Sequence, residues 1–326
     1  MAIVTAASPG PWNRFTALTR LPGALPLAVA AFTFVFVWLG HSPPDFPADF
    51  DYLWTAGRAV LHGSDPYAAV REAVHQGTLR WPLYYPATAA VIMAPFGALP
   101  HRLAVALFTA LGMALFAWSL EAGPPWRRWM VVSAPALQNV LLGQWSPWLT
   151  AAVGLPWLGA VWAAKPTIGL ALFAGWPSRW ALFGGGAILL LSIVLLPHWP
   201  ADWIASIRTT PQYLAPVQRP GGFLLLLAFL RWRRPEARML GVLALVPHTA
   251  GLYESLPLLL VPQSARSFAV LMGLEYLAAV LAYTVLNPGN LAGMLDAAWP
   301  YFLVLVYLPC LWLVLKGRSS TQHPLS

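Results

Sequence analysis

The chain is poor in charge. Only 9% of its 326 residues are Asp, Glu, Lys or Arg, against about 25% in a soluble globular domain. That excludes a large soluble domain solvated on all sides. There is one cysteine, Cys310, inside an apolar run, so neither an intrachain disulfide framework nor a thiolate metal site can be built. The seven histidines show no His-Glu-x-x-His spacing, and no transition-metal site is expected. Gly184-Gly185-Gly186 lacks the Lys and Ser or Thr of a phosphate loop and reads as close packing between helices. No cofactor, internal repeat or cleavable leader is expected. Arg14 and Arg20 precede an apolar stretch that reads as a signal anchor.

What is there is apolar. Hydrophobic residues make up 59% of the chain, which also has 18 Trp and 32 Pro. Trp collects at membrane interfaces, and Pro is tolerated in spans packed against other spans. The expected fold class is an all-α polytopic membrane protein, with residues 1–326 as a single membrane domain in the cell membrane. The net charge of +8 sits in short loops between apolar runs, which reads as topology and not as nucleic-acid binding. A first span covers Leu25 to Gly40, and apolar runs follow near 86–99, 103–120, 129–142, 145–163, 166–177, 180–197, 222–232, 238–250, 252–262, 267–286 and 298–315. These predict ten to twelve crossings, some re-entrant or broken by proline.

The positive-inside rule puts Arg231, Arg233, Arg234, Arg238, Arg266, Lys316 and Arg318 on the cytosolic side. Residues 198–222, His248 and 287–296 then face out. If 86–99 and 103–120 both cross, Arg127 and Arg128 fall outside, against the rule.

Five of the eleven acidic residues lie in the stretch 41–85: Asp45, Asp49, Asp51, Asp65 and Glu72. It predicts two short helices. One runs from Asp49 to His62, with Asp49 as N-cap and Gly63 as stop; the other runs from Pro66 to Gln76, with Asp65 as cap. A carboxylate-bearing outer loop between apolar spans is where a membrane protein can hold water, a polar substrate and a proton acceptor together.

Four motifs recur in order. They are Asp49-Phe50 followed by Gly63-Ser64-Asp65-Pro66-Tyr67, then Tyr85-Pro86-Ala87, then Gly143-Gln144 with Lys165-Pro166, then Pro247-His248-Thr249 with Tyr253. In this the chain, from about residue 25 to 263, resembles the polyprenol-phosphate-dependent glycosyltransferases of family 87, which have the GT-C membrane fold. It departs from the family pattern at Leu53, where a Tyr is usual, and at Ala87, where a second Pro is usual.

The resemblance implies a GT-C-like helix bundle with 41–85 as its first outer, catalytic loop. It implies transfer of a hexose, mannose foremost, from a polyprenyl-phosphate donor to a lipid or glycan acceptor. Such a transfer needs a base for the acceptor hydroxyl and cations or N–H groups for the departing phosphate. Asp49 is assigned the base and Asp51 is its rival. Arg58 is assigned to the phosphate; its alternative is an arginine snorkelling to headgroups. Gln144 serves a sugar hydroxyl or a helix end. Lys165 binds phosphate if it faces out and marks topology if it faces in. His248 contacts substrate or is an ordinary hydrogen-bonded core histidine, and Tyr85 joins the substrate-binding set. Asp202 and Arg208 flank the acceptor cleft, while Glu254 and Glu275 are intramembrane carboxylates without a named partner. The alternatives are a lipid or small-molecule transporter or flippase, and a membrane scaffold.

Overall fold

The structure, a computed structural model, describes residues 23–41, 49–208, 214–249, 252–285 and 291–317. Arg14, Arg20, Asp45, Asn287 and Arg318 lie outside the described residues. Every described element is helical. In chain order they are α1 (Ala24–Gly40), α2 (Phe50–Leu61), α3 (Pro66–His75), α4 (Ala87–Gly97), α5 (His101–Ser119), α6 (Ala134–Leu142), α7 (Ser146–Gly154), α8 (Pro166–Gly175), α9 (Arg179–Leu195), α10 (Trp199–Arg208), α11 (Pro235–Leu245), α12 (Ala265–Thr284), α13 (Leu291–Phe302) and α14 (Leu308–Lys316). Four 3₁₀ stretches of at least eight residues interleave with them: Pro125–Val132, Pro156–Ala164, Gly222–Arg231 and Leu252–Leu260. A π-turn, Leu303–Tyr307, joins α13 to α14.

Among the described residues three helices are long and apolar enough to cross a membrane: His101–Ser119, Ala265–Thr284 and Leu295–Lys316. A fourth is reached if α9 and α10, bent by 97°, count as one span. Ten to twelve crossings are not reached by this measure. Proline and glycine cut many of the apolar runs into helices shorter than a ~30 Å core requires.

The helix α1 lies antiparallel along α5. At one end the Gly23 N–H donates to Glu121 Oε1 at 3.1 Å, and at the other His41 Nε2 lies 2.8 Å from His101 Nδ1. The chain between these histidines therefore leaves and returns to the same end of the molecule. Within it, α4 has 11 residues, which reach only about 16 Å. The run 86–99 thus holds no helix long enough to cross by this measure. Arg127 Nη2 donates to the Leu260 and Pro262 carbonyls. Next to these, Gln263 bonds Glu236, which pairs with Arg234. Arg127 therefore belongs to the same basic end as Arg234.

The packing of α2 on α4 fixes the part of the loop that matters most. Phe50, Leu53, Ala56 and Gly57 of α2 are buried at helical spacing. A Cβ on Gly57 would stand 2.7 Å from the Met93 carbonyl oxygen, and one on Gly97 2.5 Å from the Arg58 nitrogen. Only glycine allows this approach of backbone to backbone, which in lipid supplies packing that hydrophobic burial alone cannot. Of the three consecutive glycines only the first packs closely: a Cβ on Gly184 would lie 2.8 Å from Ala160 Cβ, whereas Gly186 has nothing within 4 Å.

Candidate functional site

A cavity of about 750 Å³ lies beside the start of α2. It is lined by Asp49, Tyr85, Gln144, Lys165 and His248, together with Arg208, Tyr253 and Glu254. Residues 199 positions apart in sequence thus meet in one space, within the size range of small-molecule sites.

Local structure explains how each arrives. Gly143, with φ of +65°, ends α6 in the left-handed conformation and turns Gln144 inward. Asn139 fastens that corner: its Nδ2 donates to the Pro135 and Tyr253 carbonyls and its Oδ1 accepts from the Ser146 N–H. Lys165 precedes Pro166 and is held extended at the start of α8. Asp65 caps α3 by accepting from the Tyr67 N–H at 2.8 Å, and the Tyr67 hydroxyl donates to the Tyr85 carbonyl at 3.0 Å.

Asp49 occupies the expected N-cap position of α2, but its side chain makes no capping bond. Its Oδ2 accepts instead from Gln144 Nε2 at 2.6 Å, while Gln144 Oε1 accepts from the Tyr85 hydroxyl at 2.7 Å. Burial raises the Asp49 carboxyl above its ordinary value, against the opposing pull of Gln144 and the Lys165 charge. Such a carboxylate is more basic than a solvated one.

Lys165 Nζ pairs with Glu254 Oε1 at 2.5 Å and lies 4.8 Å from the Tyr253 ring centre. The other Glu254 oxygen accepts from both the N–H and the hydroxyl of Thr249. Glu254 thereby gains the partner that the sequence did not supply. Lys165 shares the cavity with Asp49, which places both at the same end of the molecule.

His248 is fully engaged. Its Nδ1 lies 2.8 Å from the Val246 carbonyl and its Nε2 3.0 Å from the hydroxyl of Tyr307, in the π-turn. With Nδ1–H donating and Nε2 accepting, neither nitrogen is left for a phosphate. The ordinary hydrogen-bonded reading describes it.

Two expected residues lie elsewhere. Arg58 does not line the cavity; it is exposed near the far end of α2, its guanidinium 5.3 Å from the Trp54 ring centre. Asp51 points away from Asp49: its Oδ1 lies 2.6 Å from His101 Nε2, at a second, shallower pocket. Arg208 of α10 does line the large cavity and has no ion pair among the described residues. Trp203, on the same helix, donates through its indole N–H to the Tyr84 carbonyl at 2.9 Å and fastens α10 over the loop.

The remaining wall is apolar and includes Leu141, Ala282, Leu295, Ala298 and Phe302. Leu141 and Tyr283 both line the cavity and are exposed, so this apolar wall is not closed over by protein. No family model, curated protein or solved structure matches the chain.

Proposed function

We propose that the protein is a membrane glycosyltransferase. It moves a hexose, mannose foremost, from a polyprenyl-phosphate donor to a hydroxyl of a lipid or glycan acceptor. The observation that carries this reading is the pairing, in one cavity, of a partly buried carboxylate of raised basicity, Asp49, with an apolar wall that is left open. A substrate that is part lipid and part polar group fits a cavity so divided.

The acceptor oxygen attacks the anomeric carbon as the bond from that carbon to the phosphate oxygen breaks. The polyprenyl phosphate leaves with the electron pair, and the hydroxyl proton passes to Asp49. Gln144 holds Asp49 in place, since its amide N–H donates to the ionised carboxylate. Lys165 is neutralised by Glu254, so the leaving phosphate is assigned to Arg208, in place of Arg58. His248 and Tyr85 act as supports for the cavity wall.

In this reading the short apolar helices complete a multi-pass, GT-C-like bundle in the cell membrane, with residues 41–85 on the outer side. Purified protein in bilayers, given radiolabelled polyprenyl-phosphate hexose and a membrane extract, should release a labelled product. The Asp49→Asn variant should not. A single buried ion pair, Lys165 with Glu254, favours a transporter or flippase instead, because such pairs line substrate paths. In that case label would cross vesicles unchanged and no product would form.

A further inference from the structure

On the opposite side of α2 from the large cavity, three side chains form a line. Asp51 Oδ1 lies 2.6 Å from His101 Nε2, and His101 Nδ1 lies 2.8 Å from His41 Nε2. His41 follows α1, Asp51 is in the first turn of α2, and His101 opens α5. The three do not converge on a point, and among the described residues no group suited to a metal ion occurs. The line instead ties three helices together, two residues from Asp49. Trp54 completes the junction, its ring edge-on to His101 and its indole N–H on the Leu99 carbonyl.

The proton count of this line is limited by geometry. A 2.8 Å contact between two imidazole nitrogens needs one N–H and one lone pair. It forms with both rings neutral or with one ring charged. With both rings protonated, two N–H groups and two positive charges would face each other, and the contact must open. Two charged side chains besides His101 act on His41. Asp51 favours one charged ring. Arg102, which donates to the Trp38 carbonyl, disfavours a second. Burial, then His101 and Arg102, hold His41 below its ordinary value, in keeping with a neutral His41.

We propose that His41 and His101 form an acid-released latch between the end of α1 and the start of α5: closed while the pair holds at most one charge, open when both rings are charged. The latch does not depend on the reaction assigned to the cavity, and its test requires no substrate.

The test is amide hydrogen exchange of the intact protein in nanodiscs at about pH 7.5 and about pH 5, corrected for intrinsic exchange rates. On acidification, peptides covering 34–41 should lose protection by about tenfold, while those covering 105–116 hold theirs. His41→Gln keeps a hydrogen-bonding group that does not titrate, so it should abolish the loss. If His41→Gln does not fold, His41→Asn takes its place. Equal protection of 34–41 at both pH values in the unaltered protein overturns the latch. An unchanged acid response in the His41 variant overturns it as well.

Discussion

Asp49 and Asp51 stand two residues apart at the start of one helix, yet they occupy different chemical worlds. Asp49 faces the large cavity, bonded to one neutral amide and raised in basicity by desolvation. Asp51 sits at a shallower pocket with an imidazole against it. The same side-chain type meets a neutral amide at the cavity on one face and an imidazole on the other. Position on the helix decides which, because two residues turn the side chain by about 200°.

The largest effects that could break this contrast lie in the deep cavity. Lys165→Met strands Glu254 as an unpaired buried charge and should cost about 3–5 kcal/mol of stability. The double variant Lys165→Met with Glu254→Met should recover much of that. Asp51→Asn leaves a hydrogen-bonding group at a half-open site and should cost about 1 kcal/mol. Denaturant titration in detergent would compare all three, and an equal loss for Lys165→Met and Asp51→Asn would erase the distinction.

Next in size is catalysis. Asp49→Asn should lower transfer by about 10²-fold or more, with fold and donor binding intact, while Asp51→Asn should stay within a few-fold. Steady-state rates with a labelled donor decide this, and the reverse order would make Asp51 the base.

A pH profile sharpens the comparison further. A base whose folded-state pKa is raised works above that pKa and is lost as pH falls through it, so the acid limb of transfer should lie above the ordinary Asp value of 3.8. Gln144 stabilises the ionised form. Gln144→Leu should therefore move the limb to higher pH. A limb that stays put would remove Gln144 from the proton's path.

The smallest effect concerns caps. Asp65 accepts from the Tyr67 N–H, so Asp65→Ala should cost about 1 kcal/mol. Asp49 makes no such bond, so any loss on Asp49→Ala in thermal melts should come from the Gln144 amide left unpaired and should be relieved by adding Gln144→Leu.

The sequence made much of the cavity legible because polar residues stand out in an apolar chain. Gly143-Gln144 and Lys165-Pro166 are also backbone punctuation, and their polar members do arrive at helix ends lining the cavity. Arg58 could have been placed from spacing alone: nine residues from Asp49, it lies half a turn out of phase, and seven from Asp51, it shares that residue's face. The pairing of Lys165 with Glu254 was not legible, since it joins helices whose approach depends on the whole packing. Nor was the helix count, because an apolar run that crosses and one that doubles back have the same composition. The return of the chain to His101 is a tertiary fact.

The tight crossing at Gly57 and Gly97 also has a genetic consequence. Neither residue lines the large cavity, yet each holds the mount of Asp49 to a tolerance smaller than one methyl group. A screen of random variants for lost function would return substitutions at these two positions alongside those in the cavity. Their suppressors would be sought in Met93 and its neighbours on α4, not among the polar residues that line the cavity.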